Sequence, residues 1–253
     1  AMFLGQKGAA LEAVSRLREE VPDQVVKLYP DIFEPFVAAA PHVYIRFGMW
    51  DEITNLEQPK DKKLYVTTNA LIYYAKAVAY ANLGNHKEAE NCAEKFANAY
   101  ALVPESRHLF NNKSRDVLEI ANEMMLGEVA FKSGNKAEGL DHLRKAVELD
   151  DNLNYEEPWS WPQPTRHALG ALLLEVGNYG EAEVVYKADL GIDGKLPRPS
   201  QHPKNVWALH GLHECLKLRN DKVELPHIAS LLRQAEARRD IKINASCLCR
   251  SMQ

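Results

Sequence analysis

One phrase recurs along the chain and constrains its fold more than any other feature. It is an apolar run, a glycine, two or three polar residues, then Glu-Ala or an equivalent. It reads Leu83-Gly84-Asn85-His86-Lys87-Glu88-Ala89, Ser133-Gly134-Asn135-Lys136-Ala137-Glu138-Gly139 and Val176-Gly177-Asn178-Tyr179-Gly180-Glu181-Ala182. Looser copies centre on Gly5, Gly48 and, in degenerate form, Asn220. Successive turns lie 43, 36, 50, 43 and 43 residues apart. Seven residues before the turn stand Ala77, Gly127 and Gly170, and five after it stand Ala10, Ile53, Ala89, Gly139, Ala182 and Leu225. Two helices joined by a tight turn must approach closely, so small residues belong at the crossing and large apolar ones around it. The turn glycine supplies the left-handed cap that ends the first helix. One such pair cannot bury its own apolar face, so the copies must stack. The pattern predicts an all-α chain, an α-α superhelix of about five to six helix pairs.

At these residues the chain resembles the tetratricopeptide repeat family. Its spacing of small residue, glycine turn and alanine is met best by Ala77/Gly84/Ala89 and Gly170/Gly177/Ala182, with Tyr73 and Tyr186 on its aromatic positions. The spacing here exceeds that family's period of about 34 residues, so the helices are longer or loops are inserted. The broader layout, with Arg46-Phe47-Gly48-Met49-Trp50-Asp51-Glu52 early and Tyr155-Glu156-Glu157-Pro158 later, resembles the C-terminal half of long tetratricopeptide proteins of unassigned function. The resemblance implies a right-handed solenoid in which the first helix of each pair lines a concave groove. Its groove-facing positions fall on Tyr74, Met124, Glu128, His167, Trp207, His210 and Glu214. The Lys and Asn pair with which the family clamps a peptide carboxylate is not found there.

The register also predicts the organisation of the chain. Only four residues precede Gly5, where a first helix needs about fourteen by analogy with later copies. The expectation is a single array over 1–253 that opens inside a repeat, a piece of a longer chain. Residues 150–164 and 191–205, each with three prolines, read as insertion loops between repeats, and 240–253 as a C-terminal tail.

Charge narrows the function. Thirty-one Lys and Arg stand against 35 Asp and Glu, a net charge of −4. That balance supplies no basic face for nucleic acid, and no apolar run approaches the length of a membrane span. Four cysteines make no disulfide framework, which fits a reducing, cytoplasmic setting. There is no glycine-rich phosphate loop, zinc-binding His-Glu-x-x-His or nucleophile elbow. The leading reading is a non-catalytic scaffold that binds a protein or peptide partner in its groove, or packs on further repeats of its own chain, with no cofactor.

Three further features carry possible chemistry. Cys247 and Cys249 are poorly spaced to pair with each other, because the small ring strains the required torsion. As thiolates, joined by His210 and His213, they would suit Zn or Cu, and a metal-dependent enzyme is the alternative reading. His213 also occupies the position where earlier copies carry a small residue. Finally, Glu156 and Glu157 beside Trp159 and Trp161 suggest an acidic, aromatic lip for a cationic ligand.

Overall fold

The computed structural model describes residues 1–250; the last three positions of the expected tail lie outside the described residues. The elements run α1 (Lys7–Glu20), α2 (Asp23–Leu28), α3 (Pro30–Val37), α4 (Ala39–Arg46), α5 (Trp50–Thr54), α6 (Val66–Asn82), α7 (His86–Ala101), a two-residue hairpin of β1 (His108–Leu109) and β2 (Asn112–Lys113), α8 (Ser114–Lys132), α9 (Lys136–Asp151), α10 (Thr165–Glu175), α11 (Tyr179–Asp189), α12 (Val206–Leu218) and α13 (Leu225–Glu236). Short 3-10 turns occupy Met2–Leu4 and Arg198–Ser200. The fold is all-α, as the repeat predicts. Among the described residues no helix is long and apolar enough to cross a membrane. The chain divides into two compact units, one of Ala1–Ala10 with the chain from Pro164 onward, the other of Leu11–Gln163.

The recurring phrase has one physical form throughout. Gly5, Gly48, Gly84, Gly134, Gly177 and Asn220 all adopt positive φ, between 54° at Asn220 and 99° at Gly134. At each, the next residue's N–H donates to the carbonyl four residues before the turn, as in Asn85 N to Tyr80 O (2.8 Å) and Asp221 N to Leu216 O (2.9 Å). The turn residue itself donates three back, as Gly84 N does to Ala81 O at 3.2 Å. These paired bonds satisfy the carbonyls left over at a helix C-terminus. Asn220 serves because asparagine tolerates the left-handed conformation better than other side chains. Asn85 and Asn178 then cap the following helices, accepting from Glu88 N and Glu181 N at 3.3 Å.

In the Leu11–Gln163 unit, α6 packs on α7 and α8 on α9. A Cβ built on Gly139 would lie 2.7 Å from the Gly127 carbonyl oxygen, so the α8–α9 crossing requires both glycines. Helix α3 is fixed to α6 by Glu34. This fully buried carboxylate accepts from Thr68 N and Thr68 Oγ1, both at 2.7 Å, and from Thr67 N at 3.3 Å. It thereby caps the first turn of α6 from a neighbouring helix.

In the other unit, Tyr186 of α11 lies between α10 and α12, where Gly170 and Gly211 leave room for its ring. A Cβ on Gly211 would come 2.2 Å from Tyr186 Cζ. The close approach in this copy is therefore made at Gly211, on the face of α12 toward α11, and not at the register position of His213, which is half-buried. The tail packs here too: Tyr186 OH and Ser246 Oγ are 2.6 Å apart, and Ser246 Oγ donates to His167 O at 2.9 Å. Trp207 Nε1 donates to Met2 O (2.8 Å), and Asp240 accepts from Lys7 N (2.7 Å) and Gly8 N (2.8 Å).

Candidate functional site

The groove positions named by the resemblance are mostly not surface. Tyr74, Met124, Glu128, His167 and Trp207 are each no more than 4% exposed; His210 and Glu214 are half-buried. The chain's own segments cover them. Tyr74 packs 5.7 Å from the Trp161 ring and 6.4 Å from that of His42. Trp207 is bonded to Met2, and His167 is enclosed with Asp189. Glu214 is held by Arg250 Nη1, 2.8 Å from both carboxylate oxygens. Glu128 accepts a long bond from Asn82 (3.4 Å), and burial lifts its carboxyl to about 7 despite Lys132 and Arg46. These residues therefore do not offer the open contact surface that the register implies.

The insertion between α9 and α10 takes part in this covering. Glu156 is buried, and its carboxylate accepts from Asn111 N (2.8 Å) and Asn112 Nδ2 (3.1 Å) on the hairpin. Burial raises its pKa against those bonds. Asn112 also donates to Asn154 O (2.9 Å) and Ser160 Oγ (3.1 Å), and accepts from Asn154 N (2.7 Å). Glu156 is thus an internal clamp rather than part of an acidic lip. Glu157 is exposed and accepts from Tyr155 OH. Trp161 is buried edge-on against His42, with ring centres 4.9 Å apart.

Held in this way, the insertion helps to enclose a cavity of about 200 Å³. Its walls come from α3 and α4 (Phe36, Ala39, His42), the first turns of α6 and α8 (Thr67, Ser114), the hairpin (Phe110) and the insertion (Trp159). The lining is almost wholly apolar and contains no Asp, Glu, Lys or Arg. Four polar side chains on it are at least nine-tenths buried: His42, Thr67, Ser114 and Ser160, the last bonded to Asn112 Nδ2 and Leu109 O. His42 Nδ1, Thr67 Oγ1 and Ser114 Oγ have no hydrogen-bond partner. Burial depresses the His42 imidazole to about 4, against the opposing effect of Gln163. Phe110 stands beside the cavity 47% exposed, at φ 51°, edge-on to Phe36 with ring centres 4.6 Å apart. Positive φ is costly for a bulky residue and recurs at functional sites. Sequence reasoning misses Thr67, Ser114 and Phe110, because all three lie outside the positions that the repeat register defines.

The remaining candidates are tied into the structure. Asp189, fully buried, sits between His167 Nε2 (3.0 Å) and His202 Nδ1 (2.9 Å) and accepts from Asn205 Nδ2 (2.9 Å). Burial would raise its pKa, but the two imidazoles and their hydrogen bonds outweigh it and hold the carboxyl far below the usual range. Asn205 also caps α12, accepting from Ala208 N at 2.8 Å, so this cluster pins the end of α11 to the start of α12. Cys247 and Cys249 are joined as a disulfide, contrary to the expectation from ring strain. In that form neither sulfur is a thiolate, and among the described residues neither His210 nor His213 joins them in a metal-sized cluster. The four-residue metal set read from the sequence is not assembled.

Residues 70–100, which are α6 from its fifth residue and nearly all of α7, match the family model of the tetratricopeptide repeat. Two solved structures are similar over 80% of this chain and 96% of theirs, at 19% identity and a TM-score of 0.46. They are a Podosopora anserina chain assigned as a kinesin light chain, with nearly identical TPR-like repeats, and a single-substitution form of it. No curated protein matches the sequence. The α6–α7 hairpin thus matches the tetratricopeptide repeat, and five further turns of the chain share the hydrogen-bonded form of its turn.

Proposed function

We propose that the chain is a non-catalytic scaffold that docks a partner protein on an apolar stripe of its Leu11–Gln163 unit, and not on the covered groove positions. Tetratricopeptide repeats support protein interaction in general. The observation that carries the finer reading is the set of exposed apolar residues at the α2–α3 junction. Leu28, Tyr29 and Ile32 are 72%, 59% and 55% exposed. Tyr29 meets Phe33 edge-on at 6.2 Å, and Phe36 meets the half-exposed Phe110. Tyr29, Phe33 and Phe36 follow helical spacing, so the stripe runs along α3 toward the cavity. Contiguous apolar surface of this kind marks interaction sites more often than isolated exposed side chains do. The occupant it suits is an apolar segment of a partner, such as the apolar face of an amphipathic helix.

The test is a quantitative pull-down with Leu28→Asp/Ile32→Asp, set against Val223→Asp. Val223 is 87% exposed and lies in the other unit. The double variant should lose most partner recovery at an unchanged melting temperature, while Val223→Asp should lose none. Equal recovery by all three proteins would overturn the reading.

A further inference from the structure

We infer that the cavity of the Leu11–Gln163 unit is a binding site for a small, neutral, amphipathic molecule: one ring or short branched chain bearing a hydroxyl or carbonyl. The site shares Phe36 and Phe110 with the partner stripe, but the inference does not depend on partner docking.

Size sets the first limit. An engineered apolar cavity of about 150 Å³ holds benzene, so about 200 Å³ admits a monocyclic ring with one or two substituents. Polarity sets the second. A purely apolar ligand would leave His42 Nδ1, Thr67 Oγ1 and Ser114 Oγ without partners, and each unpartnered buried polar atom is costly. A ligand hydroxyl or carbonyl reaching the two hydroxyls would satisfy them. Thr67 and Ser114 stand on the first turns of α6 and α8, so these two helices set the position of the ligand's polar end.

Charge sets the third limit. No acidic or basic side chain lines the walls. Glu34 and Arg107, ionisable groups on the neighbouring elements, are turned to other tasks. Glu34 caps α6, while Arg107 donates to Leu64 O at 2.9 Å and pairs with Asp31 at 3.4 Å. An ionised ligand would enter without a countercharge and pay for desolvation. Of the lining residues, Phe110 and Trp159 are not buried. The strained backbone at Phe110 keeps its ring at the edge of the site.

The probes are p-cresol, toluene and benzoate, titrated into the full chain and followed by amide chemical shifts. The expected result is saturable p-cresol binding at one site, with the largest shifts at Thr67, Leu71, Ser114 and Phe110. Thr67→Val/Ser114→Ala should weaken p-cresol roughly tenfold, the worth of one to two net hydrogen bonds, and leave toluene within about twofold. Ala39→Leu, which fills the cavity, should remove both. Should the double variant not fold, Ser114→Ala alone should give the same ordering at smaller size. Unsaturable or scattered p-cresol shifts would overturn the inference. So would equal weakening of p-cresol and toluene, or benzoate binding tighter than p-cresol.

Discussion

His42 and Glu128 titrate in opposite senses within one unit, and both are buried. Burial lifts Glu128 from 4.5 to about 7, so between those values the native state holds a proton that the unfolded chain has released. Its contribution is fully present below pH 4.5 and is lost as pH rises through about 7. For His42, lowered from 6.5 to about 4, the contribution is present above pH 6.5 and is lost as pH falls toward about 4. Each contribution is about 3 kcal/mol, since a tenfold change in proton affinity is worth about 1.4 kcal/mol. Glu128→Gln should therefore remove the decline in stability between pH 5 and 7, leaving a protein that weakens only on acidification; denaturant unfolding at several pH values reads this directly. An unchanged pH profile would mean that Glu128 is solvated. The turn residues are legible in the sequence because positive φ restricts residue type so strongly. The burial of Tyr74 and His42 is not, because it depends on Trp161, which is far away in sequence.

At the scale of elements, the hairpin turn is the best-determined piece of the fold. Local chemistry specifies it: a left-handed residue and two backbone bonds at every copy, with a capping asparagine at Asn85 and Asn178. Gly84 isolates the backbone contribution, because a Cβ there would meet nothing within 4 Å. Gly84→Ala should cost about 1–2 kcal/mol through φ alone, and Gly84→Asn clearly less; thermal melts of the pair measure the difference. Equal losses would place the cost in packing instead. The insertion between α9 and α10 shows the opposite case. Its prolines and tryptophans mark it as a loop, but what it does comes from Asn111 and Asn112. Those residues lie on a two-residue hairpin too short to leave a strand signal, and they bind Asn154, Glu156 and Ser160 across 42 to 48 residues of sequence. That is why Glu156 reads as a surface acid and is a buried clamp.

At the scale of the molecule, a periodic sequence implies one continuous array, while the chain forms two compact units. The periodicity records only what each hairpin does locally. It carries nothing about Trp207 bonding to Met2, or Asp240 receiving Lys7 and Gly8, because pairs more than 200 residues apart leave no shared pattern. In stacked repeats, stability is close to a sum of nearest-neighbour contributions, and local opening follows the packed groups. Each unit has one crossing that depends on glycine, at Gly127–Gly139 in α8–α9 and at Gly170–Tyr186–Gly211 in α10–α12. Overpacking a well-filled crossing costs roughly 1–3 kcal/mol. Gly211→Ala should thus lower amide protection by that amount across α10 to α12 and leave α6 to α9 within error. Gly127→Ala should do the reverse. Hydrogen exchange read by mass spectrometry resolves both sets of helices in one experiment. If either variant lowers protection equally in both sets, the units open together, and the periodic array rather than the compact unit is the cooperative element of this fold.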